Sequence, residues 1–208
     1  IKAFTFSPIS ENTYVLYNDE GKAIIIDPGC YFPAEQETLK NFLTDTGLTP
    51  VQLLNTHCHL DHVFGNKWVH ETYGLELYIH PNEAQMLELA PVSGERWGLP
   101  FQNYNGPIHF LNDGDKVLLG DTALDVILTP GHSPGSICFY LPGQGDLIGG
   151  DVLFRGSIGR TDLPGGDAET LLTSIREKLW ALPDETVVYS GHGIKTTIGY
   201  EKRNNPFL

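Results

Sequence analysis

The sequence at positions 56–62 reads Thr56-His57-Cys58-His59-Leu60-Asp61-His62, a run with three histidines and one aspartate. An apolar segment, residues 51–54, comes directly before it. A helical pattern follows, in which Phe64 and Trp68 share one face. Because a short apolar run bounded by polar residues is typical of a β-strand, we predict that the histidine-rich run lies at the carboxyl end of a strand.

The spacing within this run suits metal binding. Side chains two residues apart project to the same side of an extended chain, so His57 and His59 can converge on one ion. Asp61 and His62 lie a half-turn further on and face a neighbouring position. Cys58 is expected to point away from its two neighbours. A purely structural role, with Asp61 capping the helix and the histidines on the surface, gives no reason for so many histidines in one short run.

Three more ligand candidates follow apolar runs and lie beside glycines: His132, Asp151 and His192. A single histidine in a glycine-rich turn is more often structural, but several histidines and aspartates in matching contexts indicate a metal centre. Imidazole and carboxylate ligands favour zinc or iron over magnesium or calcium. Seven candidate ligands are too many for one tetrahedral ion, so we predict two ions, with the two oxygens of Asp151 as the bridge. Such a pair activates a shared water, which is hydrolytic chemistry.

Composition excludes several other classes of protein. The chain has 208 residues, 40% of them hydrophobic and 19% charged, which predicts one globular domain over residues 1–208. Its formal charge of −13 argues against a nucleic-acid partner. Because no apolar run reaches the roughly 20 residues of a membrane helix, we expect no membrane partner. Three cysteines without CxxC spacing favour a cytoplasmic location without disulfides. We expect a monomer or a small homo-oligomer.

Strand and helix patterns alternate along the chain and predict a mixed α/β fold. Residues 90–111 stand apart, because prolines and glycines interrupt any periodicity there while aromatic residues supply apolar surface. We predict a long packed loop, whose aromatic residues either pack on the core or form a lid over the site. Strands are predicted at 3–6, 13–17, 23–26, 51–54, 77–79, 116–119, 123–128, 137–141, 147–148 and 186–189, and helices at 34–43, 81–89 and 168–182.

A further turn, Ile26-Asp27-Pro28-Gly29, precedes the ligand candidates. In this order the residues resemble the metallo-β-lactamase superfamily, and the resemblance covers almost the whole chain. It implies an αββα four-layer sandwich of two mixed β-sheets flanked by helices, with two transition-metal ions at one edge, zinc in the first place and iron or manganese as alternatives. Asp27 would support a ligand histidine or its loop. By position, one ion is held by His57, His59 and His132, the other by Asp61, His62 and His192, and Asp151 bridges them.

The bridging Asp151 points away from true β-lactamases and towards the glyoxalase II, or hydroxyacylglutathione hydrolase, branch. Residues 156–167 and 196–206 resemble its short single-domain members. The resemblance implies hydrolysis of a small-molecule thioester of the S-lactoylglutathione type by a metal-bridging hydroxide, with Asp61 and Asp151 as the catalytic carboxylates. Persulfide dioxygenases, which use mononuclear iron, share the ligand run, although the Tyr-Ser-Gly-His-Gly context of His192 differs from theirs. Hydrolysis of lactones or other esters and a non-catalytic binding module are further alternatives.

Recognition of an anionic thioester by so acidic a chain requires local cations. Arg160 and Thr161 follow Asp151 closely in sequence, and Lys202 comes after the last ligand. We predict that these three residues contact the substrate, Arg160 through two parallel bonds to a carboxylate. The alternative is that Arg160 fastens its own loop by pairing with Asp162 and that Lys202 lies on a solvated surface.

Overall fold

Two six-stranded sheets organise the chain, one built from residues 2–110 and the other from residues 116–197. The computed structural model describes residues 1–208 and forms two units. Unit 1 comprises residues 1–110 and 119–121, and unit 2 comprises residues 111–118 and 122–208. No helix combines the length and the apolar character needed to cross a membrane. The single domain over 1–208 stays a prediction.

Unit 1 contains a mixed sheet with strand order β1-β2-β3-β4-β5-β6. The first three strands are antiparallel, and the pairs from β3 to β6 are parallel. Parallel neighbours need a crossover connection, which the helices supply. The elements are β1 (Lys2–Phe6), β2 (Glu11–Tyr17), β3 (Lys22–Ile26), α1 (Pro33–Asp45), β4 (Thr49–Leu54), α2 (Leu60–Val63), α3 (Asn66–Tyr73), β5 (Leu77–Ile79), a 3-10 turn (Pro81–Glu83), α4 (Ala84–Trp97) and β6 (Ile108–Phe110).

Helix α1 shows how the sequence builds this unit. Pro33 starts the helix, where its missing N–H costs nothing. The Glu35 carboxylate accepts the backbone N–H groups of Tyr31 at 2.8 Å and Phe32 at 2.9 Å and so closes the first turn. Leu39 and Leu43 are buried on the inner face and pack in one core with residues of β2, β3 and β4, among them Val15, Ile25 and Leu53.

The prediction of a loop over residues 90–111 is wrong for much of that segment. Helix α4 continues through Pro91 to Trp97 and β6 follows, so within this segment only residues 98–107 and Leu111 are loop. Pro91 lacks the N–H that would bond the Leu87 carbonyl. Asn103 supplies the missing donor, with its Nδ2 2.6 Å from that oxygen. The helix tolerates Pro91 because the side chain of Asn103, from the following loop, donates a hydrogen bond to the Leu87 carbonyl.

The aromatic residues of this segment divide between core and surface. Tyr104 is buried in the core of unit 1. The Phe101 ring packs edge-on against Phe64, with centroids 4.9 Å apart. Trp97 and Phe110 are 54% and 52% exposed, respectively. Of the four large aromatic side chains in residues 90–111, the two in the loop anchor it to unit 1, while those in α4 and β6 are largely exposed.

Unit 2 contains a mixed sheet with strand order β14-β13-β10-β9-β8-β7 and a separate two-stranded hairpin. Strands β8, β10 and β13 run in the same direction, because β9 is antiparallel to both β8 and β10 while β10 and β13 are parallel. Their carboxyl ends therefore share one edge. The elements are β7 (Lys116–Leu119), β8 (Thr122–Leu128), β9 (Ile137–Leu141), β10 (Asp146–Gly150), β11 (Leu153–Phe154), β12 (Ser157–Ile158), α5 (Ala168–Ser174), a π turn (Ile175–Leu179), β13 (Val187–Ser190), β14 (Thr196–Thr197) and α6 (Ile198–Asn204).

The helix predicted at 168–182 is shorter and changes pitch. Asp167 caps its start by accepting the Thr170 N–H at 2.7 Å. After Ser174 the chain widens into a π turn, in which Trp180 N–H bonds the Ile175 carbonyl at 3.0 Å. The predicted class of fold, two mixed β-sheets with helices, is confirmed.

Candidate metal centre

Asp27 and the histidine-rich run leave the first sheet side by side. Ile26 at the end of β3 pairs with Leu54 at the end of β4, and Asp27 N–H donates to the Leu54 carbonyl at 2.9 Å. The residues that follow each strand are therefore neighbours. Asp27 is buried and has a φ of 50°, in the left-handed region that aspartate tolerates better than most residues. Backbone strain of this kind clusters at functional sites.

The Asp27 carboxylate joins the two segments. Its Oδ1 accepts the Thr56 N–H at 2.7 Å and the Asn55 side-chain amide at 3.2 Å. Its Oδ2 accepts the Thr56 hydroxyl at 2.6 Å and lies 3.0 Å from His62 Nδ1. A carboxylate only accepts, so the hydrogen-bond network places the His62 proton on Nδ1 and leaves the lone pair on Nε2 for a metal. Asp27 thus contacts both a predicted ligand histidine and its loop.

The rings of the run lie against one another. The His57 centroid is 4.8 Å from that of His59 and 4.1 Å from that of His62. His57 Nδ1 is 3.1 Å from the Thr56 hydroxyl, whose own proton is already donated to the carboxylate described above, so His57 also presents Nε2 as its lone-pair nitrogen. The Asp61 Oδ2 lies 3.9 Å from His62 Nε2. Unit 1 therefore gathers imidazole nitrogens and a carboxylate oxygen in one place.

Two buried glutamates support this run, although neither stands out in the sequence. Glu83 Oε2 accepts the Cys58 N–H at 2.7 Å, between the first two histidines. Glu11 Oε2 accepts the Thr13 hydroxyl at 3.0 Å, and its Oε1 is 4.0 Å from His62 Nδ1. Burial raises the pKa of Glu11 well above its usual range, and the nearby imidazole opposes this rise. Each glutamate looks in sequence like an ordinary polar position, so only its burial reveals it.

Gly29 and Cys58 show how tightly these segments pack. A Cβ on Gly29 would lie 1.9 Å from the Glu11 Oε2 and 2.6 Å from the Asp61 carbonyl oxygen, so the turn after Asp27 requires glycine. The Cys58 side chain is buried in the core of unit 1. Burial raises the pKa of its thiol well above the usual value, which keeps it protonated and unreactive.

In unit 2, Asp151 stands between two histidines. It follows β10, His192 follows β13, and these parallel strands pair at Gly150 and Ser190. His132 lies in the loop between β8 and β9. The Asp151 Oδ2 is 3.5 Å from His132 Nε2 and 3.6 Å from His192 Nε2. One carboxylate oxygen therefore faces a ring nitrogen of each histidine.

A backbone contact that no sequence pattern indicates holds His132. Its Nδ1 lies 2.7 Å from the carbonyl oxygen of Arg160. A carbonyl oxygen only accepts, so His132 carries its proton on Nδ1 and turns Nε2 towards Asp151. Arg160 makes this contact through its main chain, independently of its side chain.

The donor atoms fit a transition metal in chemistry and in spacing. Ligand atoms about 2.1 Å from a tetrahedral ion lie roughly 3.4 Å apart. The separations of 3.5 and 3.6 Å around Asp151 Oδ2 are close to this distance. In unit 1, one atom each of Asp27, His57 and His62 lies within 4.8 Å of the others. Both Asp27 oxygens are engaged in hydrogen bonds, which leaves the two histidines as the metal-binding side chains of this group. Neutral imidazoles and carboxylates suit zinc or iron, so the donor atoms of the predicted ligands fit such an ion.

Two of the three side chains predicted to contact substrate, those of Arg160 and Lys202, are paired with carboxylates of their own chain. Arg160 bonds both oxygens of Asp162 at 2.7 Å, and both side chains are largely exposed. This pairing raises the pKa of Arg160 and lowers that of Asp162 to about 2. Lys202 donates to Asp184 at 2.8 Å, and Thr161 is partly buried. The pairing of Arg160 with Asp162 is the one expected if Arg160 fastens its own loop instead of contacting substrate.

Comparison with known proteins places the chain among its relatives. Residues 7–192 match the metallo-beta-lactamase superfamily. The chain is 42% identical over 202 residues to the probable metallo-hydrolase YqgX of Bacillus subtilis, covering 97% of this chain and 93% of that protein. It is 38% identical over 210 residues to the hydroxyacylglutathione hydrolase GloC of Haemophilus influenzae, covering 100% and 97%.

Solved structures of similar fold support the same family assignment. The B3 metallo-β-lactamase BLEG-1 superposes with a TM-score of 0.91 at 42% identity, covering 100% of this chain and 98% of that one. The protein TTHA1623, solved in a di-iron-bound form, gives 0.91 at 40% identity over the whole of both chains. ETHE1 from Myxococcus xanthus gives 0.79 at 28% identity, covering 99% and 82%. The chain therefore belongs to the metallo-β-lactamase superfamily of metal-dependent hydrolases.

Proposed function

We propose that the chain is a binuclear metal-dependent thioesterase that acts on thioesters of the S-lactoylglutathione type. The observation that carries the proposal is the Asp151 Oδ2, which faces the Nε2 atoms of His132 and His192 at 3.5 and 3.6 Å. A carboxylate placed between two imidazoles suits a bridge between cations. One ion would be held by His57, His59 and His132 and the other by Asp61, His62 and His192.

The relatives support the thioester as substrate. Over its whole length the chain is 38% identical to a protein named hydroxyacylglutathione hydrolase, and it also resembles that branch in residues 156–167 and 196–206. The di-iron-bound neighbour supports a centre with two metal ions. The similarity to BLEG-1, a B3 metallo-β-lactamase, makes β-lactams the class to test beside thioesters.

Bound transition-metal ions would supply an activated water and a polarised thioester carbonyl. The water oxygen would add to the carbonyl carbon, the C–S bond would break and the departing thiolate would take up the proton that the water releases, which yields a carboxylic acid and a thiol. Asp151 would offset the repulsion between the two cations. Asp61, with one oxygen toward the second ion, would orient the attacking water by accepting a hydrogen bond from it. Asp27 and the Arg160 carbonyl hold two of the ligand histidines with Nε2 as the donor atom.

We expect two transition-metal ions per chain and hydrolysis of S-lactoylglutathione at the same rate with and without oxygen. The number of metal ions per chain is measured by elemental analysis after separate loading with zinc, iron or manganese. The effect of oxygen on hydrolysis is measured by thiol release under air and under argon. A limit of one iron per chain, with oxygen uptake on glutathione persulfide, would overturn the hydrolase proposal. Faster turnover of a β-lactam than of any thioester would overturn the substrate class.

Arg160→Ala is expected to raise KM for glutathione thioesters and to leave metal content unchanged, because the guanidinium can exchange Asp162 for a substrate carboxylate. Uncharged thioesters should be nearly unaffected. Asp162→Ala is the matched variant, since it breaks the same loop pair but keeps the guanidinium. Equal rises in KM for both variants, or equal losses on charged and neutral substrates, would assign Arg160 to the structure of its loop.

A further inference from the structure

We propose that Glu201, in helix α6, is a positioning residue for Asp151 and His132, which it holds in place through the β11–β12 hairpin. The inference rests on the proposed function, because it takes those two residues to be metal ligands. All the residues involved belong to unit 2. Glu201 acts on the site through main-chain contacts and not by touching the reacting atoms.

The Glu201 carboxylate is fully buried and accepts three hydrogen bonds. Its Oε2 accepts the Gly156 backbone N–H at 2.9 Å and the Asn205 side-chain amide at 2.9 Å, and its Oε1 accepts the Thr196 hydroxyl. The same Asn205 amide donates to the Ser157 carbonyl at 3.0 Å. Gly156 and Ser157 lie where the hairpin turns, so the C-terminal helix holds the hairpin at two backbone atoms. A carboxylate is buried at high cost unless such partners satisfy it.

The hairpin in turn fixes the position of the backbone at Asp151. Gly159 directly follows β12, and its N–H donates to the Val152 carbonyl at 3.3 Å. A Cβ on Gly159 would lie 1.9 Å from the Asp151 carbonyl oxygen and 3.1 Å from the His132 Cβ. The segment leaving the hairpin is therefore packed directly against both ligands. A shift of the hairpin must move them or break these contacts.

The same segment also fixes the orientation of the His132 ring. Arg160, the residue after Gly159, accepts the His132 Nδ1 proton on its carbonyl at 2.7 Å. Residues 156–160 thus connect the Glu201 carboxylate to the hydrogen bond that selects the His132 tautomer. Groups that orient a metal ligand in this way typically change metal affinity about 10–100-fold when they are removed.

The test compares metal affinity in three variants of the full chain. Glu201→Ala is expected to bind zinc about 10–100-fold more weakly in competition with a chelator. Leu179→Ala is the control, because Leu179 belongs to the π turn and not to the hydrogen-bonded path from Glu201 through the hairpin to His132. The variant opens a cavity in the core of unit 2 and costs about 2–5 kcal/mol of stability. It should lower the melting temperature and keep zinc affinity. Glu201→Gln should restore most of the affinity, because its amide oxygen can accept from Gly156 and Asn205 while its NH2 donates to the Thr196 hydroxyl.

Zinc affinity of Glu201→Ala equal to that of Leu179→Ala would overturn the positioning role, and so would a failure of Glu201→Gln to restore binding. If Glu201→Ala does not fold, Asn205→Ala removes the second link to the hairpin and must weaken zinc binding in the same direction. Failure of the unmodified chain to bind two ions would instead refute the proposed function, so the two failures are distinguishable.

Discussion

Asp151→Ala is expected to abolish thioester turnover and to lower the metal content of both sites. The carboxylate oxygen that faces His132 and His192 is lost, and with it the charge that would offset the repulsion between two cations. The measurement is metal per chain after full loading, together with kcat/KM on S-lactoylglutathione. Asp61→Ala should act more locally and reduce the occupancy of one ion.

Asp146→Asn is the matched control for this experiment. Asp146 opens β10, the strand that ends just before Asp151, and it is partly buried, so the control perturbs a carboxylate of the same strand. Its metal content and kcat should stay at the level of the unmodified chain. Near-native activity of Asp151→Ala with both metals bound would refute the bridging assignment.

Asp27→Ala is expected to have the second-largest effect, on both stability and metal affinity. It leaves the Thr56 N–H and hydroxyl, the Asn55 amide and His62 Nδ1 without their acceptor in a buried place. Each unsatisfied group costs about 1–3 kcal/mol, so unfolding of the metal-free chain in denaturant should need several kcal/mol less. Alanine also adopts the φ of 50° poorly. Metal affinity should fall because the His62 tautomer is no longer held.

Asp27→Asn separates the effect of the lost hydrogen-bond acceptors from the effect of the backbone conformation. Asparagine tolerates the left-handed backbone and keeps one acceptor oxygen, but its NH2 group must face a donor. We expect a smaller loss of stability than for alanine and a clear loss of metal affinity. Asp45→Asn, at the exposed end of α1, controls for the change of charge. Unchanged chelator competition in Asp27→Ala, whatever its melting temperature, would remove Asp27 from the positioning of His62.

Local patterns predicted most of the strands because burial on a sheet repeats along a short stretch of chain. The strands at 77–79, 116–119 and 137–141 have the predicted bounds. The prediction of a loop over residues 90–111 failed because a side chain distant in sequence compensates for a proline within the helix. Pro91 normally ends a helix, yet α4 continues past it because Asn103 bonds the freed Leu87 carbonyl. No local pattern contains that bond.

The sequence by itself determined which side chains can bind a metal and that they follow strand ends, because residue type and the order of apolar runs carry both facts. Only the tertiary structure decided what holds those side chains in place. Glu83 bonds the Cys58 N–H, the Arg160 carbonyl bonds His132 and Glu201 bonds the Gly156 N–H, across 25, 28 and 45 residues of chain respectively. Every residue except proline offers the same backbone donor and acceptor, so such a contact leaves no signature in sequence. It exists only once folding has buried the partner carboxylate or carbonyl beside it.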